Sequence, residues 1–188
     1  MHNKCIFTVA LAFLLVPAWA AGIEAPGVPN FHRVNDRVLR GGQPAREGWS
    51  SLAKLGVKTV VDLRRESEHS SEAERRAVEA AGMRYVNVPM NGIVAPRDEQ
   101  IARILALFDS SDAGTVFVHC RRGADRTGTV IACYRIAHDR WRNQEALNEA
   151  EAHGMSWVEF GMKHYIRRFQ GGERAAAGQD VQAAAGHQ

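Results

Sequence analysis

Thr115-Val116-Phe117-Val118 runs without a break into His119-Cys120-Arg121-Arg122-Gly123-Ala124-Asp125-Arg126-Thr127-Gly128, and a helical pattern continues from about Arg126 to His138. The β-branched and aromatic run reads as a short buried strand. Gly123 permits a tight turn after it. The loop therefore sits at the carboxyl end of a strand, where open α/β sheets bind their ligands. Backbone N–H groups of such a loop form a concave nest for anions. The amino terminus of the following helix adds partial positive charge. Both features suit a phosphate dianion, and both favour a thiolate over a thiol at Cys120. Arg126 can give two parallel hydrogen bonds to phosphate oxygens, which a lysine cannot. Thr127 carries a hydroxyl able to donate to the sulfur.

The rest of the chain supplies a scaffold for this unit. Phe31–Val34 and Arg37–Arg40 read as short strands around the turn Asn35-Asp36, and Gly41-Gly42-Gln43-Pro44 ends the second. A helix is expected over Arg46–Leu55, with Trp49, Leu52 and Leu55 on one face and Gly56 closing it. Val57–Leu63 is a strand buried on both faces. Ser70–Ala81 reads as a polar helix and Met83–Val88 as the next strand. Pro96-Arg97-Asp98 opens a helix with Ile101, Ile104, Leu105 and Phe108 at helical spacing. Further helices are expected over Asn143–His153 and Trp157–Phe169. Strands alternating with helices imply an α/β fold, a mainly parallel central sheet flanked by helices. One domain spans 31–170, after a leader of little structure over 21–30, and an Ala/Gly/Gln-rich tail over 171–188 is expected to be disordered.

The first twenty residues have the form of a cleaved secretory signal. Lys4 is the positive end, Cys5–Trp19 is almost wholly apolar, and Ala18-Trp19-Ala20 fits a cleavage site. The run is shorter than the ~20 residues of a spanning helix and Pro17 stands near its end. A mature chain starting near Ala21, periplasmic or secreted and without a membrane span, is expected. The formal net charge of +3 is too weak to argue for nucleic acid. Cys120 and Cys133 then remain. Cys133 lies among apolar residues of a helix and reads as core; the other reading is a redox partner that protects Cys120.

The spacing Cys120, five residues, Arg126-Thr127-Gly128 resembles the active-site loop of the protein-tyrosine phosphatase superfamily, in its compact dual-specificity branch. Weaker similarity extends through Val38-Leu39-Arg40-Gly41-Gly42-Gln43-Pro44 and Val60-Val61-Asp62-Leu63-Arg64. The resemblance implies a phosphomonoester hydrolase with no cofactor and no metal. Cys120 attacks phosphorus and forms a cysteinyl-phosphate, while Arg126 and the loop amides stabilise the equatorial oxygens. His119, Arg121, Arg122, Gly123 and Ala124 complete the substrate-binding loop, with His119 as a residue that holds it. The implied substrates are phosphorylated proteins, phosphoinositides or inositol phosphates.

One departure concerns the acid. Many members carry an aspartate about thirty residues before the cysteine, but no Asp or Glu stands between Ala80 and Arg97. Asp125, inside the loop as Gly-x-Asp-Arg-Thr, resembles the acid proposed for myotubularin-type and secreted bacterial lipid phosphatases. Asp98, at the start of a helix, is the alternative acid. Asp62 and Arg64 read as a structural pair at a strand end, and Trp49, Trp141 and Trp157 as core or partly buried packing. Two other functions stay open: a rhodanese-like sulfurtransferase, which also cradles an anion beside a cysteine, and a catalytically weak phospho-ligand binding module.

Overall fold

The computed structural model describes residues 24–171. The expected signal segment 1–20, and the expected disordered tail from residue 172 on, lie outside them. Strands β1 (His32–Arg33), β2 (Val38–Gly41), β3 (Val57–Asp62), β4 (Arg84–Asn87) and β5 (Thr115–His119) form one sheet in the order β1-β2-β5-β3-β4. β1 pairs antiparallel with β2, and every other pairing is parallel. β5, which carries the loop, is thus central, with β2 and β3 on its flanks. Gly41 and Asp62 both stand opposite His119. That register brings the ends of three strands together at the base of the loop.

The period-2 alternation of these strands divides the core. Leu39, Val60, Tyr85 and Phe117 face helices α1 (Arg46–Lys54) and α2 (Ser71–Ala80) through Trp49, Leu52 and Val78. Val38, Val61, Val116 and Val118 face α3 (Asp98–Asp109) and α4 (Asp125–Ala137) through Ile101, Ile104, Phe108, Val130 and Ile131. Helix α5 (Asn143–Ala152) and helix α6 (Phe160–Arg168) cover the outer side of α4 through Ala146, Leu147, Ala150 and Ile166. Wedged between the sheet and these two helices, α4 is buried on nearly every side, which is why its sequence shows little amphipathic period.

The elements fall where the sequence puts them, with two corrections. The segment read as a leader belongs to the packed unit from Glu24 on: Ala25 and Val28 are buried with Trp49 and Phe117, and Gly27 lies against the backbone of Gly48. The last helix starts at Phe160 rather than Trp157, and Trp157 is 78% exposed. The i, i+3 spacing of Trp157 and Phe160 imitates a buried helical face. The chain there runs as turns up to Glu159, the residue before the helix. Trp49 is buried and Trp141 half-buried under the Arg135 guanidinium, as expected.

Candidate active site

Cys120 follows the last residue of β5 and is almost wholly buried at the floor of the loop. The peptide planes above it are turned by donors behind the loop. Gln43 N–H donates to Arg121 O at 3.1 Å. Asn30 Nδ2 donates to Arg122 O at 3.3 Å and Gly123 O at 3.1 Å. Arg40 Nη2 donates to Gly123 O at 2.8 Å. In a trans peptide the N–H points opposite to the C=O. With three successive carbonyls drawn outward, the amides of Arg122, Gly123 and Ala124 point inward. No amide of residues 121–127 donates to a protein acceptor among the described residues. The nest expected from the sequence is therefore built, and Asn30, Gln43 and Arg40 build it.

Gly123 is the one position where the turn demands glycine. Its φ is +72°, and a Cβ there would lie 2.4 Å from the carbonyl carbon of Gly41. The loop and the end of β2 touch backbone to backbone. Arg40 beneath them is 1% exposed, and its Nε and Nη1 have no partner among the described residues. Burial lowers the Arg40 guanidinium to about 10, against the opposing pull of Glu149 and Cys120. A buried cation so placed adds to the positive field behind the sulfur.

Arg126, in the first turn of α4, has five N–H donors. Nη1 and Nη2 grip both oxygens of Glu68, at 2.7 and 2.9 Å. Nη1 also reaches Leu63 O and Met90 O at 3.5 and 3.4 Å. The far side of the guanidinium is thus occupied. The edge formed by Nε–H and the remaining Nη2–H is left for two oxygens of a ligand. The hydrogen bond from Arg126 holds the Glu68 carboxyl down at about 2. Glu68 stands in a short 3₁₀ turn, Glu66–Glu68, within a polar run that reads as solvated surface, so the sequence did not single it out.

Asp125, the first residue of α4, accepts from Ser156 N–H through Oδ1 at 2.8 Å and from Arg122 Nη2 through Oδ2 at 2.5 Å. Beside it stands Glu159, one oxygen of which is buried without a partner. Burial first, and the Asp125 charge second, raise the Glu159 carboxyl above the usual range, against Arg122 and Arg126. This second carboxyl was also missed: it lies 33 residues beyond Arg126 and joins the site only because α5 and α6 fold back over α4. Asp98 is elsewhere. Its Oδ1 accepts from Tyr165 Oη–H at 2.8 Å, and its charge acts on Cys133, two turns along α4 from Arg126, roughly 10 Å by helix rise.

Two loop expectations need correction. His119 is fully buried, on the α1/α2 side of the sheet, stacked on Phe117 with Nε2 3.0 Å from Glu74 Oε1. It cannot touch a substrate, because period-2 alternation points it away from the loop's concave side; it holds the strand end, the other role read for it. The Thr127 hydroxyl is buried and makes no hydrogen bond here, so the donation to sulfur is not made in this arrangement. Arg121 and Arg122 are exposed at the mouth, and Ala124 contributes its backbone amide only.

Beneath the loop, Arg64 donates Nε to Asp62 Oδ1 at 2.9 Å, Nη2 to Asp62 Oδ2 at 3.0 Å, and Nη2 also to Glu74. Tyr85 Oη–H donates to Asp62 at 2.9 Å. Burial alone would raise Asp62, but His119 and Arg64 hold it below the carboxylate range. Asp62, Glu74 and His119 offer ligand atoms within 4.8 Å of one another. The Arg64 guanidinium, donating to both carboxylates, already takes the place of a cation there. The pair read from the sequence is thus the centre of a buried polar network that ties β3 to β5. Cys133 is buried, and burial raises its thiol well above the usual range.

Comparison with known proteins fits this geometry. A family model described as a DSP-PTPase phosphatase fused to NAD+ kinase matches residues 24–168. The dual specificity protein phosphatase TpbA of Pseudomonas aeruginosa (strain UCBPP-PA14) is 30% identical over 138 residues, which are 73% of this chain and 60% of TpbA. The inositol diphosphatase DSP2 of rice is 31% identical over 120 residues, 62% of this chain and 57% of DSP2. The chain thus spans about 60% of the length of these curated relatives. The core catalytic domain of the PP-IP phosphatase SIW14 from S. cerevisiae superposes with a TM-score of 0.70 over 84% of this chain and 96% of that one, at 21% identity, a likeness of fold. With a cysteine, an arginine and an inward-facing nest set at the end of a central parallel strand, and with the family model covering the packed unit almost end to end, the chain belongs to the DSP-PTPase phosphatase family.

Proposed function

We propose that this protein hydrolyses phosphomonoesters through a cysteinyl-phosphate on Cys120. The observation that carries the reading is the open guanidinium edge of Arg126 beside three inward amides above the cysteine. A phosphate bound there presents phosphorus to Sγ. The S–P bond forms as the ester P–O bond breaks, and Arg126 with the amides takes up the charge on the equatorial oxygens. The leaving oxygen receives its proton from the Asp125–Glu159 pair. Asp125 has both oxygens engaged as acceptors, while Glu159 keeps one oxygen without a partner, so Glu159 is the member placed to hand a proton on. Water then attacks phosphorus, the pair takes its proton, and the thiolate leaves.

The names of the relatives support phosphorylated proteins and inositol phosphates as substrate classes. Hydrolysis of para-nitrophenyl phosphate tests the reading. Cys120→Ser should abolish turnover and still bind inorganic phosphate, because the hydroxyl stays protonated while the cradle remains. Turnover by that variant, or thiosulfate-to-cyanide transfer by the natural chain in place of phosphate release, would overturn it.

A further inference from the structure

Strand pairing sets Arg40 beside the cysteine. Arg40 on β2 stands opposite Val118 on β5, and Cys120 follows two residues after Val118. Alternation puts Val118 and Cys120 on one face, and both pack in one core cluster. Residues paired across neighbouring strands share a face. Arg40 therefore rises from the adjacent strand on the sulfur's own side of the sheet.

No carboxylate meets the Arg40 charge. The guanidinium makes one hydrogen bond, from Nη2 to Gly123 O, and its Nε and Nη1 are buried without a partner among the described residues. Arg126, the other guanidinium whose charge acts with that of Cys120, differs in this respect. Both oxygens of Glu68 grip it, so that pair carries no net charge. The charged groups around Arg40 come from several elements: Glu149 of α5, Arg135 of α4, His32 of β1, His153 beyond α5, and Cys120. Glu149, the acid that acts on Arg40 most, is committed elsewhere. Arg135 gives Nε to both of its oxygens at 3.2 Å and Nη2 to Oε1 at 2.8 Å. His32 and His153 stack with ring centres 4.1 Å apart. Burial first and Arg40 second lower both, His153 to about 4, so at neutral pH neither adds a charge. A buried cation without a counter-ion is costly, and an anion beside it offsets the cost. With Glu149 held by Arg135, the anion left for Arg40 is the sulfur.

We propose that Arg40 is the resident counter-charge of the Cys120 thiolate, and that Arg135 keeps it available by holding Glu149 away. Both are positioning residues, since neither touches the phosphate. The proposal rests on the phosphatase reading in taking Cys120 as the nucleophile. It separates two services of one side chain: the Gly123 carbonyl needs the guanidinium fork, whereas the thiolate needs only the charge, which lysine also carries.

The test alkylates Cys120 of the purified full chain with iodoacetamide, an uncharged reagent, from about pH 4 to about pH 9. Mass spectrometry locates the label, inorganic phosphate protects the site, and melting temperatures show which variants are folded. In Arg40→Met the midpoint of the pH–rate curve should rise by about one unit or more, a tenfold or greater loss of rate on its acid limb. Arg40→Lys should keep the natural midpoint and still lose para-nitrophenyl phosphate turnover with the Gly123 contact. Removing the neutral pair, in Arg126→Gln/Glu68→Gln, should move the midpoint less than Arg40→Met does. Arg135→Gln leaves Arg40 in place and does not depend on how Arg40→Met folds. It should raise the midpoint as Glu149 turns to Arg40, and Arg135→Gln/Glu149→Gln should bring the midpoint back. An unmoved midpoint in Arg40→Met or Arg135→Gln, equal shifts in Arg40→Met and Arg40→Lys, or a larger shift on removing the Arg126–Glu68 pair overturns the proposal and leaves the phosphatase reading intact. These midpoint shifts in a natural chain that hydrolyses no para-nitrophenyl phosphate would sink the phosphatase reading and leave the charge assignment standing.

Discussion

Glu68→Gln probes how the active-site arginine is aimed. The substitution keeps the shape of the side chain and removes the charge that grips Nη1 and Nη2 of Arg126. Glu68 is held at about 2 against an ordinary 4.5, first by the hydrogen bond from Arg126. Taken whole, that depression is worth about 3 kcal/mol. The carboxyl is still open to solvent, and screening reduces the figure to about 1–2 kcal/mol. If that energy goes into keeping the Nε/Nη2 edge turned to the phosphate, kcat/KM for para-nitrophenyl phosphate should fall about 5- to 30-fold. The pair also has a signature in stability. The folded carboxyl is depressed, so its contribution is complete above about 4.5 and is lost as pH falls through about 2. Melts between pH 5 and pH 2 should therefore show the natural chain losing part of its advantage over Glu68→Gln. An unchanged or higher kcat/KM, or tighter inhibition by inorganic phosphate in the variant, would mean that Glu68 competes with the substrate and does not position Arg126.

Arg126→Lys should lose on the order of 100-fold or more in kcat/KM, because an ammonium cannot give the planar two-point contact and Glu68 would still draw it aside; near-normal turnover would remove Arg126 from the phosphate. Glu159→Gln and Asp125→Asn should each slow an alkyl phosphate far more than para-nitrophenyl phosphate, whose leaving group needs no proton, and Glu159→Gln should flatten the basic limb of the pH profile; if Asp98→Asn alone behaves this way, the acid lies at the start of α3. The mature chain should be exported and begin near Ala21, which amino-terminal mass spectrometry of fractionated cells checks; an intact Met1 on cytoplasmic protein would refute it.

What the sequence made legible follows from how local each signal is. The β-branched runs at Val57 and Thr115, the helical spacing of Ile101, Ile104 and Phe108, and the glycine breaks at Gly56 and Gly82 act within a few residues, and they mark β3, β5 and α3 and the ends of α1 and α2. Cys120 and Arg126 were legible for the same reason, since one short loop contains both. The partners that set the geometry were not. Asn30 reaches the loop across 92 residues and Glu68 reaches Arg126 across 58. Such contacts exist only because β5 inserts between β2 and β3. Nothing in Glu66-Ser67-Glu68-His69 distinguishes the acid that meets an arginine from the acid that meets water. Trp157 failed in the opposite sense: its spacing looked like core, but no helix begins before Phe160 to turn it inward.

The backbone contact between Gly123 and the Gly41-Gly42 step bears on how the activity could be moved to another scaffold. Ten residues carry the recognisable signature, yet they are only half of a two-part casting. A Cβ at 123 would meet the Gly41 carbonyl carbon at 2.4 Å, and one at 41 would meet the Phe117 ring at 3.0 Å. A transplant of His119–Gly128 alone onto a foreign strand and helix would find no floor flat enough to hold its carbonyls outward, and its amides would turn to whatever acceptor lay nearest. The portable unit is the loop together with Asn30 and Arg40–Gln43, the buried guanidinium included. A designer who copies only the signature copies the nucleophile without the mould that shapes its anion hole.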